Sequence, residues 1–149
     1  MKTDEHVNID NARPGVYTDV IKKIEHDKIC PFCPEHLHSI HPNPIEEKEY
    51  WIVTDNAYPY KPKKEHVLLI HKTHMSNISE LSTEAWNELG TIINDEQKKR
   101  NISGGTLIMR FGETKYTGAS VTHLHAHLFQ SDPDNKEYDK TKGILTRIG

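Results

Sequence analysis

A chain of 149 residues with a formal net charge of -3 and 34% hydrophobic residues fits one domain around one core, and leaves no room for a second large domain. The charge excludes the broad basic field that a nucleic-acid polymer would require, so any nucleotide must be met by a local site. No run approaches the roughly 18 apolar residues of a membrane span, and Met1-Lys2-Thr3-Asp4-Glu5 is too charged for a secretory signal, so a cytoplasmic protein without membrane contact is expected.

Residues 1–16 read as a loose polar arm. Tyr17, Val20, Ile21 and Ile24 keep helical spacing, which predicts a short amphipathic helix to about His26. Cys30-Pro31-Phe32-Cys33 is a tight turn, and residues 34–49 read as a loop. Tyr50 to Thr54 is rich in aromatic and β-branched residues and predicts a strand. Two prolines, Pro59 and Pro62, interrupt the pattern before His66 to His71 resumes it. Ser82 is an N-cap with Glu84 in the first turn. Trp86, Leu89, Ile92, Ile93 and Glu96 then repeat at three- and four-residue steps until Asn101 and Gly104-Gly105 end the helix. Thr106 to Phe111 is a third strand, residues 112–118 a polar loop, and Val121 to Gln130 a fourth strand. Residues 131–149 form a polar tail in which Ile144 to Ile148 is a candidate last strand. The order of elements suits an α+β domain with an antiparallel sheet of about five strands and one long helix on one face.

Two sequence features carry chemistry. Cys30-x-x-Cys33 is too local to staple a fold, and offers two thiolates from one turn, half of a zinc site. The other ligands must be histidines: His36, His38 and His41 nearby, or His74 and His123 far along the chain. Two buried, inert cysteines are the competing reading. The second feature is His123-Leu124-His125-Ala126-His127-Leu128-Phe129. A strand sets residues i, i+2 and i+4 on one face, so the three imidazoles are expected roughly 7 Å apart, with Leu124, Ala126 and Leu128 opposite. Imidazole serves as nucleophile, acid, base or metal ligand near neutral pH.

This heptad strongly resembles the signature of the histidine triad superfamily of nucleotidyl hydrolases and transferases, and the likeness extends over roughly Tyr17 to Gln130. The resemblance implies an α+β histidine triad fold and one structural zinc per chain, held by Cys30, Cys33, His74 and His123. It implies that His125 attacks the α-phosphorus of a nucleoside phosphoramidate or dinucleoside polyphosphate, giving a covalent nucleotidyl-imidazole. A backbone carbonyl would hold the ring's other nitrogen, and His127 would donate a proton to the departing oxygen. Ser120 matches a serine that contacts the phosphate, and Gly118 lets the backbone approach it. Asn56 aligns with the residue that takes the ribose hydroxyls, and Phe32 falls where an apolar side chain lines the base pocket. The family's loop asparagine is replaced by Gly112. Relatives commonly dimerise, so a homodimer is expected. Uridylyltransferases carry glutamine at the third triad position; His127 therefore favours water as acceptor, with phosphate or a sugar phosphate as the transferase alternative. Two other readings compete: a non-catalytic nucleotide-binding module, and a His-x-His-x-His metal site of the cupin-like kind, which would want more short strands and a carboxylate partner.

Overall fold

Three apolar runs meet in register at the centre of the molecule. The structure, a computed structural model, describes residues 6–148. Its sheet is wholly antiparallel, in the order β1-β2-β3-β5-β4, from β1 (Ile45–Glu47), β2 (Trp51–Asp55), β3 (Lys63–His71), β4 (Thr106–Arg110) and β5 (His125–Ser131). The α+β class, the antiparallel sheet and its five strands are as expected.

Alternation divides the sheet into two faces. Trp51, Val53, Val67, Leu69, Ala126 and Leu128 face helix α3 (Thr83–Lys99), which contributes Leu89 and Ile92 to the same cluster. Ser82 caps α3, its hydroxyl accepting from the Ala85 N–H at 3.1 Å, a contact worth about 1 kcal/mol at such positions. Four further bonds fix the helix on the sheet. The Trp51 indole N–H donates to the Ala85 carbonyl at 2.8 Å, and the Glu88 carboxylate accepts from the N–H groups of Glu49, Tyr50 and Trp51.

The opposite face carries Ile52, Leu68 and Ile70 and is covered from the N-terminal third of the chain. Helix α1 (Val16–Asp27) packs Ile21 and Ile24 against Val7 and Val121. Helix α2 (Pro34–Ile40) inserts Leu37, 1% exposed, onto the sheet. His66, His125 and His127 lie on this face too.

Several expectations are corrected. Residues 34–49 hold α2 and the short edge strand β1, where a loop was expected: Pro34 starts a seven-residue helix that offers only Leu37 as a buried signal. Among the described residues no strand forms over 144–148; the fifth strand is β1. The last strand of the triad opens at His125, not Val121, which instead makes an isolated bridge to Val7. A four-residue helix α4 (Thr114–Thr117) interrupts the expected 112–118 loop. Trp86, expected on the apolar face, is 43% exposed, and Ala85 packs in its place. Of the expected loose arm, residues 1–5 lie outside the described residues, while residues 6–11 are docked by backbone bonds to Ser120 and Thr122.

Candidate active site and metal centre

Four side chains from three places in the chain converge beside the start of β5. Cys30 and Cys33 come from the turn before α2, His74 from just beyond β3, and His123 from just before β5. Their ligand atoms all lie within 4.8 Å of one another, and the group could hold a metal ion. Cys30 Sγ and Cys33 Sγ lie 3.3 and 3.6 Å from His123 Nδ1, and Cys33 Sγ lies 3.3 Å from His74 Nδ1. Tetrahedral zinc, with bonds of about 2.1 to 2.3 Å, sets nitrogen and sulfur roughly 3.5 Å apart, so the donor set and spacing fit zinc. The His123 Nε2–H donates to the His71 carbonyl at 2.6 Å, which leaves Nδ1 as the lone pair facing the thiols. Burial pushes the Cys30 thiol up and the Cys33 thiol up to about 12, so neither becomes a thiolate there without a neighbouring cation. The local alternatives are otherwise engaged: His36 Nδ1 lies 3.1 Å from the Cys30 carbonyl, His38 bonds Glu47 at 2.7 Å, and His41 bonds the Thr54 hydroxyl at 2.9 Å.

His123 thus stands apart from the other two triad histidines. The three rings do not form one strand-aligned row; only His125 and His127 lie on β5, with centroids 5.0 Å apart. His125 Nδ1 donates to the His123 carbonyl at 2.7 Å, so its Nε2 carries a lone pair. Burial, then the Arg110 cation, lowers its pKa to about 4, keeping the ring neutral.

His127 is held the other way round. The Tyr60 backbone N–H, which can only donate, gives its bond to His66 Nδ1 at 3.1 Å. The proton of His66 therefore sits on Nε2 and points at His127 Nδ1, 2.9 Å away, so His127 carries its own proton on Nε2. Burial foremost, then the charges of its neighbours, keeps His127 well below the usual histidine range; burial and Arg13 lower His66 to about 3. Two adjacent rings of one strand consequently present opposite tautomers, an acceptor at His125 and a donor at His127.

Both rings line a cavity of about 560 Å³, a size that suits a nucleotide. Phe32, Asn56, Gly118 and Ser120 also line it. Phe32 stands edge-on to His125 at 4.8 Å. The Ser120 hydroxyl shares a 2.5 Å bond with the Tyr17 phenol, whose pKa burial raises. Gly118 has φ 69°, and a Cβ there would meet Arg147 Cγ at 3.0 Å, so a larger residue is both strained and crowded at this turn. Asn56 Oδ1 accepts from the Tyr58 N–H at 2.8 Å, while Nδ2, 3.1 Å from His66 Nε2, meets another donor there and makes no hydrogen bond with it.

Four residues beyond those named from the sequence complete the site: His66, Tyr17, Tyr60 and Arg110. His66 alternates with Leu68 and Ile70 along β3 and reads as core in isolation. The available signal was its phase, which matches that of residues on the triad-bearing face once β3 and β5 are paired.

No family model and no curated protein matches the sequence. Solved structures do match. A hypothetical histidine triad nucleotide-binding protein from Sulfolobus tokodaii is similar with a TM-score of 0.58 at 19% identity, over 79% of this chain and 80% of that one. A HIT family hydrolase from Clostridium thermocellum is similar with a TM-score of 0.51 at 23% identity, over 79% and 94% of the two chains. A Zn-bound histidine triad family protein from Mycobacterium smegmatis gives 0.50 at 17% identity, over 67% and 73%. The chain therefore has the histidine triad fold, with the metal-binding group and the triad strand in one structure.

Proposed function

We propose that the chain is a nucleotidyl hydrolase acting at the α-phosphate of a nucleoside phosphoramidate or dinucleoside polyphosphate, through a covalent nucleotidyl-His125 intermediate. One observation carries this reading: neighbouring rings of β5 offer a free lone pair and an N–H donor to the same cavity. The names of the similar structures, which include a hydrolase and a nucleotide-binding protein, support it.

In the first step His125 Nε2 bonds to the α-phosphorus, and the bond to the leaving atom breaks with its electron pair. The departing atom accepts a hydrogen bond from His127 Nε2–H, while the charge gained by the His125 ring is stabilised by the His123 carbonyl at Nδ1. A polyphosphate oxygen leaves with its negative charge, and a phosphoramidate nitrogen takes up a proton from solvent as it leaves as the amine. Water then attacks phosphorus and returns the electron pair to Nε2. One water proton stays on the new phosphate and the other passes to solvent. Ser120 and the turn at Gly118 contact the phosphate, Asn56 the ribose and Phe32 the base. Zinc at Cys30, Cys33, His74 and His123, when bound, supplies a cross-link that aims the strand and takes no part in the reaction.

The test is to trap the intermediate. Brief incubation with substrate and acid-free quenching should leave one nucleoside monophosphate on the chain, joined through a phosphoramidate bond. His125→Ala should fold, keep its metal, and lose turnover by about 10⁴-fold or more. Near-normal turnover in that variant rejects the mechanism.

A further inference from the structure

Arg13, Arg110 and Arg147 all line the cavity that His125 and His127 face. Lys23 lines it too, against Asp27 as the one carboxylate among the described lining residues. This is a local reversal of sign in a chain of net charge -3.

Among the described residues these arginines bond neutral oxygens. Arg13 donates to the Tyr58 carbonyl and lies against the rings of Tyr17 and Tyr60, 5.1 and 4.9 Å from their centres. Arg110 donates to the Thr117 carbonyl at 3.0 Å, the Thr146 hydroxyl at 2.9 Å and the Arg147 carbonyl at 2.7 Å. Arg147 donates to the Asp10 carbonyl at 3.1 Å. The chain's remaining arginine is treated differently. Arg100 sits between Asp55, Glu65 and Glu96, with contacts of 2.6 to 2.8 Å to their carboxylates. Arg13 and Arg110, half-buried among neutral acceptors of the described residues, and Arg147, exposed at the edge, are left to be completed by an anion from outside.

The position of these cations fits the reacting group. Arg110 is the register partner of His125 across β4 and β5, on the cavity face. Arg13 reaches the site through Tyr60, whose ring stacks on His127 at 5.8 Å, and through Tyr17, which bonds Ser120. His127 has a single proton to offer, on Nε2, since Nδ1 accepts from His66. It can donate a hydrogen bond to a leaving atom, but surrendering that proton would leave an imidazolate. A leaving group must therefore depart with its negative charge, or find a proton elsewhere.

We infer that Arg13 and Arg110, with Arg147 at the rim, form a subsite for an anionic leaving group, and select substrates that release a phosphate chain over those that release an uncharged amine. This inference rests on the nucleotidyl-transfer reading of the same cavity. Guanidinium groups suit it because they meet phosphate oxygens in paired, charge-assisted bonds.

Two measurements test it. In the first, kcat/KM is determined for a dinucleoside tetraphosphate and for a phosphoramidate of the same nucleoside with an uncharged amine leaving group. Arg13→Gln should lower the tetraphosphate value at least about tenfold more than the phosphoramidate value. Equal losses, or an unchanged ratio, overturn the subsite. In the second, binding of inorganic tripolyphosphate is measured by calorimetry and should weaken by a similar factor in Arg13→Gln and in Arg110→Gln. Tripolyphosphate binding that depends on Arg13 in a wild-type protein inert toward both substrates upholds the subsite and rejects the hydrolase. Turnover by the wild type with no effect of Arg13 on selectivity does the reverse.

Discussion

His66 is the residue whose removal tests the site's wiring most directly. It touches His127 at 2.9 Å and, through it, decides which nitrogen of that ring bears the proton. In His66→Phe the ring of His127 can take either tautomer. The expected outcome is a fall in kcat of about 10²-fold with KM and metal content little changed. Nitrogen NMR of His127 should show the proton on Nε2 in the wild type and a mixture in the variant. An unchanged kcat would show that the proton's position at His127 is irrelevant. At this scale the sequence was informative where residue type is rare and spacing strict. Cys30, Cys33, His74 and His123 come together as the resemblance implies, and His125 finds its backbone carbonyl. His66 was hidden because a lone histidine in an apolar strand carries no mark of its partner 61 residues away.

Among the elements, α1 and α3 are legible because each repeats a helical period over many residues, β2 because Trp51 to Thr54 are aromatic or β-branched, and α3 also announces its start with Ser82. The parts that escaped are short or tertiary in origin. α2 has seven residues and β1 three, too few for a period to register. The start of β5 falls later than the apolar run suggests because His123 leaves the ladder to bond the His71 carbonyl and face the cysteines. That departure predicts how metal and structure are coupled. The four ligands join the turn before α2, the end of β3 and the start of β5, so their metal is a cross-link between elements distant in sequence. The purified protein should carry one zinc per chain. Chelation, or His123→Ala, should lower the melting temperature by on the order of 10 °C or more. His36→Ala should leave metal content and melting temperature alone. Retention of zinc by the His123 variant would move the site to other ligands.

For the molecule as a whole, β4 is an outer strand of the sheet, with one edge unpaired in the described chain. Leu107 on β4 is 49% exposed and Trp86 on α3 is also open to solvent. An exposed edge with apolar side chains invites a further strand, and a second copy supplies one by two-fold symmetry. We expect light scattering to give twice the chain mass of 17.2 kDa, and Leu107→Glu to return a monomer. A wild-type monomer would reject this pairing.

The bond from Arg147 to the carbonyl of Asp10 spans 137 positions, and with Arg110 and Gly118 it seats residues 146 and 147 against the cavity. The metal ligands, the two β5 rings and all five strands lie upstream of these residues, so this side of the cavity is closed by contacts that the sheet itself does not need. Thr146 and Arg147 bear on the enclosure alone. Arg147→Ala should leave the sheet and the metal centre intact while opening the cavity on one flank, so that any loss appears in how tightly a ligand is held and not in whether the protein folds.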